Sequence, residues 1–414
     1  MNRLVLIGNG FDLAHGLPTR YEDFINWYKE YRVHQFSQIH NNISKDVLCS
    51  IKLKEPKALS IYASNFLMWD SPHMSLVEYF DYIVENTHEF ETKFSPLFER
   101  ILKGVNTKTW AGIEGDFYEL LKEYALDNDI SDEAKQANLK SLNEQLDYLK
   151  KMLVKYLDYV TNKNKVGNFS SIEEAIYAPF DADDISIDGK KYFDEHKQYW
   201  ENLDSEAPLS NKIIKFGLDY QNIMQWVRWY KEDNNSRSVT YPSAFLLPDE
   251  LMFLDFNYTD TILNYVKPKY QQSVNHIHGD IHDDRYVIFG YGDEIDTNFR
   301  KLQELNNNEC LTNIKSIRYL EAPNYRRVLS FIESAPFQVI IMGHSCGNSD
   351  RTLLNTIFEH KNCVSIKPYY YKNEDDGADN YRELAQNISR NFNDMKLMRG
   401  RVVNKTQCEP LIHN

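Results

Sequence analysis

Three short stretches of the chain carry residues that can do chemistry: Gly8-Asn9-Gly10-Phe11-Asp12, then Asn257 with Tyr258 and Asp260 followed by His278, then Gly343-His344-Ser345 with Asp350. In the first, two glycines directly after an apolar run let the main chain turn sharply, take positive φ and approach a ligand where a Cβ would block it. A strand-to-helix turn cradles phosphate in that way. Asn9 and Asp12 bracket the turn with side chains able to cap a following helix or to bond a ribose hydroxyl. A carboxamide such as Asn257 can orient a hydroxyl or a water, and an imidazole such as His278 can take a proton near neutral pH. Gly-x-Gly lacks the third glycine of the full dinucleotide fingerprint, so this segment alone does not separate a phosphate cradle from an ordinary tight turn.

Other chemistries fit less well. No Gly-x-x-x-x-Gly-Lys-Ser/Thr loop is present, which points away from a P-loop nucleotidase. His276, His278 and His282 lie close together but lack a carboxylate at the fixed spacing of a zinc hydrolase, so no metal is expected and His276 reads as a packed or surface histidine. Gly343-His344-Ser345-Cys346-Gly347 matches the Gly-x-Ser-x-Gly of a nucleophile elbow, with Ser345 as nucleophile and His278 or His344 as base. In that fold the triad histidine follows the serine, and the later histidines here are His360 and His413, both poorly placed for the part. A serine hydrolase therefore ranks below nucleotide binding.

The elements that must position these residues follow from hydrophobic pattern. Leu4-Val5-Leu6-Ile7 is wholly apolar with β-branched members, the habit of a strand covered on both faces of a parallel sheet, and it is expected as the first, central strand. From Arg20 to about Tyr159 the pattern turns helical: Tyr21, Phe24, Ile25 and Tyr28 share a face, as do the apolar residues of Leu76–Val84 and the leucines from Leu139 to Leu157. These stripes read as core. Trp110 and Glu114, four apart, could put a carboxylate with a raised pKa into a pocket, although a solvated acid on an amphipathic helix is the commoner outcome. The segment Thr161–Asn211, rich in Asn, Asp, Ser and Lys, reads as a long loop, with helix resuming from Ile213 to Tyr230.

Strand character returns after Pro248, in Leu251–Asp255, Ser273–Asp280, Tyr286–Gly290, Phe337–Met342 and a last inner strand at Cys363–Tyr371. Helices are expected between them, at Thr297–Ser334 and Leu353–His360, and a closing one at Gly377–Phe392. Apolar strands that each end in Gly, Asn, His, Ser or Asp predict an α/β domain with a Rossmann-like parallel sheet, in which ligands bind beyond the carboxyl ends of the strands. The expected organisation is a discontinuous nucleotide-binding domain, residues 1–24 and 245–400, carrying a large, mainly helical insertion over residues 25–244.

Composition sets the surroundings. With 61 acidic against 47 basic residues the net charge of −14 disfavours general nucleic-acid binding by bulk attraction. Five cysteines, an odd number without a Cys-x-x-Cys pair, argue for reduced thiols. Met1 leads through one arginine into a strand-like run with no signal-peptide pattern, and no stretch has the apolar length of a membrane helix, so a cytoplasmic protein without membrane contact is expected.

Taken in order, Gly8-Asn-Gly-Phe-Asp12, Phe256-Asn257-Tyr258-Thr259, His278-Gly279 and Gly343-His-Ser345 with Asp350 resemble the AbiH abortive-infection family of anti-phage proteins. Leu4–Phe24 and Phe253–His360 carry most of the likeness, and the helical middle matches loosely. The same set resembles the sirtuin-like NAD-binding fold. That resemblance implies that Gly8, Asn9, Gly10, Phe11 and Asp12 form the phosphate and ribose loop, with Gly16 and Pro18 shaping its continuation. It further implies that Asn257 orients the nicotinamide ribose, that His278 is the base, and that Gly343, His344, Ser345 and Asp350 contact phosphate or ribose. The chain lacks the four-cysteine zinc module of true sirtuins, which points away from deacetylation and toward the defence-associated sirtuin-like enzymes that destroy NAD. The expected ligand is therefore NAD, as substrate, with a nucleotide-binding sensor as the alternative. A phage-derived trigger and a second copy of the chain are the candidate partners.

Overall fold

The computed structural model describes residues 1–38, 42–55, 74–104, 110–164, 166–232, 241–283, 286–294, 296–373 and 375–412, so His413 lies outside the described residues. Eight strands occur among them: β1 Asn2–Ile7, β2 Ile43–Lys45, β3 Cys49–Leu53, β4 Phe90–Phe94, β5 Leu251–Asp255, β6 Val274–His276, β7 Phe337–Met342 and β8 Cys363–Tyr369. The chain divides into two compact units. One comprises Met1–Leu17, Lys165–Asp280 and Tyr319–Asn414, the other Pro18–Asn164 and Ile281–Arg318.

The first unit is a mixed α/β structure on a five-stranded parallel sheet of order β6-β5-β1-β7-β8. Strand β1 is central, as its composition predicts, and every residue of β1, β5 and β7 is buried. Strands covered on both faces need no polar alternation. Val5 and Ile7, with Phe253, Ile340 and Met342, join one core with Ile172, Ile176, Ile213, Met224 and Val227 from the helices Ser170–Tyr177, Ala207–Lys215 and Tyr220–Glu232. Leu4 and Leu6, equally buried, serve the opposite face. Register aligns the strand ends: Ile7 pairs with Asp255 and Met342, Asp255 with His276, and Met342 with Tyr369. The residues that follow each strand therefore emerge along one edge.

Arg3 fastens the sheet to the neighbouring helix. Its Nη1 donates to the Ile176 and Ala178 carbonyls at 3.0 and 2.6 Å, and its Nε to Gln338 Oε1 at 3.1 Å. Burial lowers its pKa to about 10, which still leaves it charged at neutral pH.

Two expectations for this unit need correcting. Residues 161–211 are not a long loop but hold helices at Ser170–Tyr177 and Lys190–Glu201 and the start of Ala207–Lys215. In the second helix Phe193, His196 and Trp200 are buried, a narrow stripe masked in composition by the Lys, Asp and Glu around it. Strand β8 is an edge strand rather than an inner one: beyond it lie an isolated bridge from Val402 to Ile366 and a bond of 2.9 Å from the Ser186 amide to the Val364 carbonyl.

In the second unit, α2 (Tyr21–Ser37) buries Tyr21, Phe24, Ile25 and Tyr28, and the helix Asp132–Lys163 buries the leucine face from Leu139 to Leu157, both as the spacing predicts. A three-stranded antiparallel sheet, β2-β3-β4, interrupts what pattern reads as helix. Arg32 secures it, with Nη1 3.0 Å from Asp46 and Nη2 donating to Ser44 at 3.0 Å. Tyr286–Gly290 forms no strand. Its Val287, Ile288 and Phe289 are buried, but the Gly290 amide donates to a side chain, Glu114 Oε1, rather than to a neighbouring strand. The helical stretch after Thr297 is likewise broken, into Thr297–Glu304 and Lys315–Arg318 here and Asn324–Ser334 in the first unit. Glu114 is no solvated acid: it is 4 % exposed and lies 2.9 Å from the Nζ of Lys315, itself 1 % exposed.

All five cysteines are buried thiols. Among the described residues no helix is long and apolar enough to cross a membrane.

Breaking a buried ion pair on one side strands the other charge, which costs about 3–5 kcal/mol, whereas replacing both partners by apolar groups is often near neutral. Lys315→Met should therefore lower the denaturation midpoint strongly, and adding Glu114→Leu should restore most of the loss. A double variant as unstable as the single one would contradict this reading of Glu114.

Candidate functional site

The edge at which the strands of the first unit end gathers most of the residues singled out by sequence. β1 leads through Gly8 into the short helix α1, Asn9–Ala14. Gly8 has φ −136°, extended backbone open to any residue, and it is close packing that demands a glycine here. A Cβ on Gly8 would lie 2.4 Å from His344 Cα, and one on Gly10 would lie 2.8 Å from the Gly343 carbonyl oxygen. Gly343 has φ +74°, and a Cβ there would meet the Phe11 amide nitrogen at 2.0 Å. The positive φ expected in the first loop thus belongs to the facing one.

Backbone bonds join the two loops. The Gly8 amide donates to the Met342 carbonyl at 3.1 Å, the Gly10 amide to the Gly343 carbonyl at 2.8 Å, and the Phe11 amide back to the Gly8 carbonyl at 2.8 Å. The Phe11 ring is fully buried, edge-on to Tyr265. Neither Asn9 nor Asp12 caps α1, whose N-cap residue is Gly8 without a side-chain bond. Asn9 is half-buried, while Asp12 turns into the protein.

The loop after β5 completes this seam. The Asn257 amide nitrogen donates to Asp255 Oδ1 at 2.9 Å, and its side-chain Nδ2 donates to the Gly8 carbonyl at 3.1 Å. The Thr259 hydroxyl donates to Asp12 Oδ2 at 2.7 Å, and Asp12 Oδ1 is buried with no hydrogen-bond partner among the described residues. Burial raises the Asp12 pKa to about 6, against the pull of hydrogen bonds from Thr261, Thr259 and Asn257. Burial also pushes Asp255 well above its ordinary range, with the Asp12 and Asp260 carboxylates adding to the shift and the Asn257 amide opposing it. His276, half-buried, has Nδ1 3.5 Å from Asp255 Oδ2 and Nε2 3.9 Å from Asp260, so two carboxylates from the end of β5 lie near it. Among the described residues no group of three or more His, Cys, Asp or Glu could hold a metal ion.

His278 comes from the segment after β6. Its Nε2 lies 3.3 Å from Asp350 Oδ1 and 3.1 Å from the Tyr319 hydroxyl. The Phe256 ring stands between two imidazoles, 5.3 Å from the His278 centroid and 4.1 Å from that of His344. His344 Nε2 lies 3.7 Å from Asp350 Oδ2, and its Nδ1 accepts the Cys346 amide at 3.0 Å. Gly8, Asn257, His278, His344 and Asp350 thus share one neighbourhood.

Ser345 stands apart from the imidazoles. It is exposed, and its loop holds a left-handed residue on either side of it, Gly343 at φ +74° and Cys346 at φ +54°. The loop is held by Asn387, which donates to the Ser345 carbonyl at 3.0 Å, and by Asn391, which donates to the Cys346 carbonyl at 2.9 Å. Among the described residues no imidazole bonds the Ser345 hydroxyl. His360 pairs with Glu333 at 3.2 Å and packs on Phe337, the first residue of β7, at the opposite edge of the sheet. The remaining histidine after the serine, His413, is not among the described residues.

Sequence reasoning gives no role to Asp255, Thr259, Thr261 or Tyr319. The first three could have been found, because they flank Asn257 in the polar cluster that ends β5. Tyr319 gave no signal, being one tyrosine among 28.

Two measurements check this geometry. Gly343→Ala meets both a left-handed backbone, which costs an L-residue about 1–2 kcal/mol, and the Phe11 amide. Gly377→Ala, at φ +70° with nothing within 4 Å, meets the first penalty alone. The melting temperature should fall further for Gly343→Ala, and equal losses would contradict the tight seam. Asp12 provides the second check. A carboxyl raised from 3.8 to about 6 by folding contributes stability that is fully present below the unfolded value and is lost as pH rises through about 6. The contribution is roughly 3 kcal/mol. Asp12→Asn should flatten the stability profile between pH 4 and 6, while an unchanged slope would contradict the shift.

A family model described as "Bacteriophage abortive infection AbiH" matches residues 4–371, a span that takes in the glycine turn, Asn257, His278 and Asp350. No curated protein and no solved structure matched the chain. The family description points to a role in abortive infection of phage. The match extends over most of the 414 residues, and on that ground the chain belongs to the AbiH family.

Proposed function

We propose that the crevice at the carboxyl edge of the parallel sheet binds NAD in a Rossmann-like, sirtuin-like manner, and that the protein hydrolyses the nicotinamide-ribosyl bond during phage infection. The observation that carries this reading is the Asn257 carboxamide, tied to the Gly8 carbonyl at 3.1 Å, in the same neighbourhood as an Asp350-paired His278. With the Gly8, Gly10 and Phe11 amides engaged within the protein, phosphate contacts fall on Asn9 and on the Ser345 hydroxyl at the rim.

The reaction asks little of the protein beyond positioning, because nicotinamide leaves as a neutral base from a cationic ring. Water adds to C1′ of the ribose, the C1′–N bond breaks, and its electron pair departs with nicotinamide. The water proton passes to His278 and on to solvent, leaving ADP-ribose. Asn257 orients the ribose hydroxyl or the water. A second reading, a sensor that binds a nucleotide without turnover, draws support from the burial of His278, which is 4 % exposed.

Purified protein mixed with phage lysate should convert NAD to nicotinamide and ADP-ribose, and His278→Ala should slow this about 10²–10⁴-fold. Intact NAD under these conditions, together with infected cells that still die when they carry His278→Ala, would overturn the catalytic reading. A nucleotide recovered unchanged after hours on the protein would select the sensor.

A further inference from the structure

We infer that Asp350 is the positioning residue of this site: its carboxylate, shared by His278 and His344, orients the His278 imidazole and holds the imidazolium formed when that ring takes a proton. The role in turnover rests on the NAD-cleavage reading above, whereas the pairing itself stands on geometry.

One carboxylate faces two imidazoles in a nearly dry place. Oδ1 lies 3.3 Å from His278 Nε2 and Oδ2 3.7 Å from His344 Nε2, with side-chain exposures of 5 % for His278, 6 % for His344 and 11 % for Asp350. Ser349 adds a hydroxyl 3.4 Å from Oδ2. A buried carboxylate persists only where donors or positive charge compensate it. His344 is fixed as such a donor, because its Nδ1 accepts the Cys346 amide at 3.0 Å and its proton must then sit on Nε2, toward Asp350.

The loop is bent to make that bond. Cys346 is a non-glycine at φ +54°, a conformation that persists only where surroundings over-determine it, and here Asn391 grips its carbonyl at 2.9 Å. Its buried thiol is pushed up first by desolvation and then by the Asp350 charge. An acid so placed can steady a newly formed imidazolium without reorganisation, which is the part an aspartate plays beside a catalytic histidine. Among the described residues the Tyr319 hydroxyl, at 3.1 Å, and the rings of Phe256 and Tyr258 also face His278. Neither tyrosine supplies a charge near neutral pH.

The test is histidine-ring NMR on the full chain, alongside NAD turnover. In the wild-type protein the neutral rings of His278 and His344 should both carry the proton on Nε2, and an Nδ1-protonated His278 would overturn the proposal without any variant. Asp350→Asn, which keeps size and shape, should lower the protonation midpoint of His278 by about 1–3 pH units. If turnover is present, the acidic limb of its pH profile should move down by the same amount, with kcat falling more than KM. A His278 midpoint unchanged in Asp350→Asn would overturn the proposal whatever the turnover. Wild-type protein that leaves NAD intact yet shows the midpoint shift would count against NAD cleavage and would support the pairing.

Discussion

The contact on which the candidate site depends is the approach of two main chains with no side chain between them, the turn after β1 against the loop after β7. Gly8 and Gly10 press on His344 and Gly343, and two amide-to-carbonyl bonds close the seam. Glycine is needed there to let backbones meet. The parallel register of β1 with β5 and β7 brings the three loops level, and Asn257 then bonds across to the Gly8 carbonyl. Residues separated by more than two hundred positions in the chain become neighbours through strand pairing alone.

Polar groups are buried in this seam beyond what folding requires. Among the described residues Asp12 Oδ1 and Asp255 Oδ2 have no hydrogen-bond partner, and Cys346 holds a left-handed backbone. Each of these is unfavourable by itself. They sit beside Asn257 and His344, where a strained and polar surrounding is consistent with function rather than with stability alone. Elsewhere β1 is apolar from Leu4 to Ile7, and Arg3 at its start is compensated by two carbonyls and a glutamine.

Much of this arrangement could be read from the chain before any coordinates. Leu4–Ile7 and Phe337–Met342 are short, largely apolar runs with β-branched members that suit a doubly covered sheet, and Asn257, His278 and Asp350 each follow such a run or the segment beyond it. The misses share a cause. Tyr286–Gly290 has the apolar content of a strand, but its Gly290 amide is taken by Glu114, a partner 176 residues away that no local pattern reveals. Lys190–Glu201 looks like loop because its buried stripe of Phe193, His196 and Trp200 is diluted by charged residues. By sequence Asp12 can cap a helix or bond a ribose, and only packing shows its carboxylate turned inward to Thr259.

The central claim is that the seam between the β1, β5 and β7 loops is where a nucleotide sits. Hydrogen exchange of the purified protein with and without saturating ADP-ribose addresses it most directly, since it reports binding by position and requires no turnover. Slowed exchange in the peptides covering residues 8–14, 256–260 and 343–350 is the predicted result. Unchanged exchange in all three, or protection confined to other segments, would contradict the account.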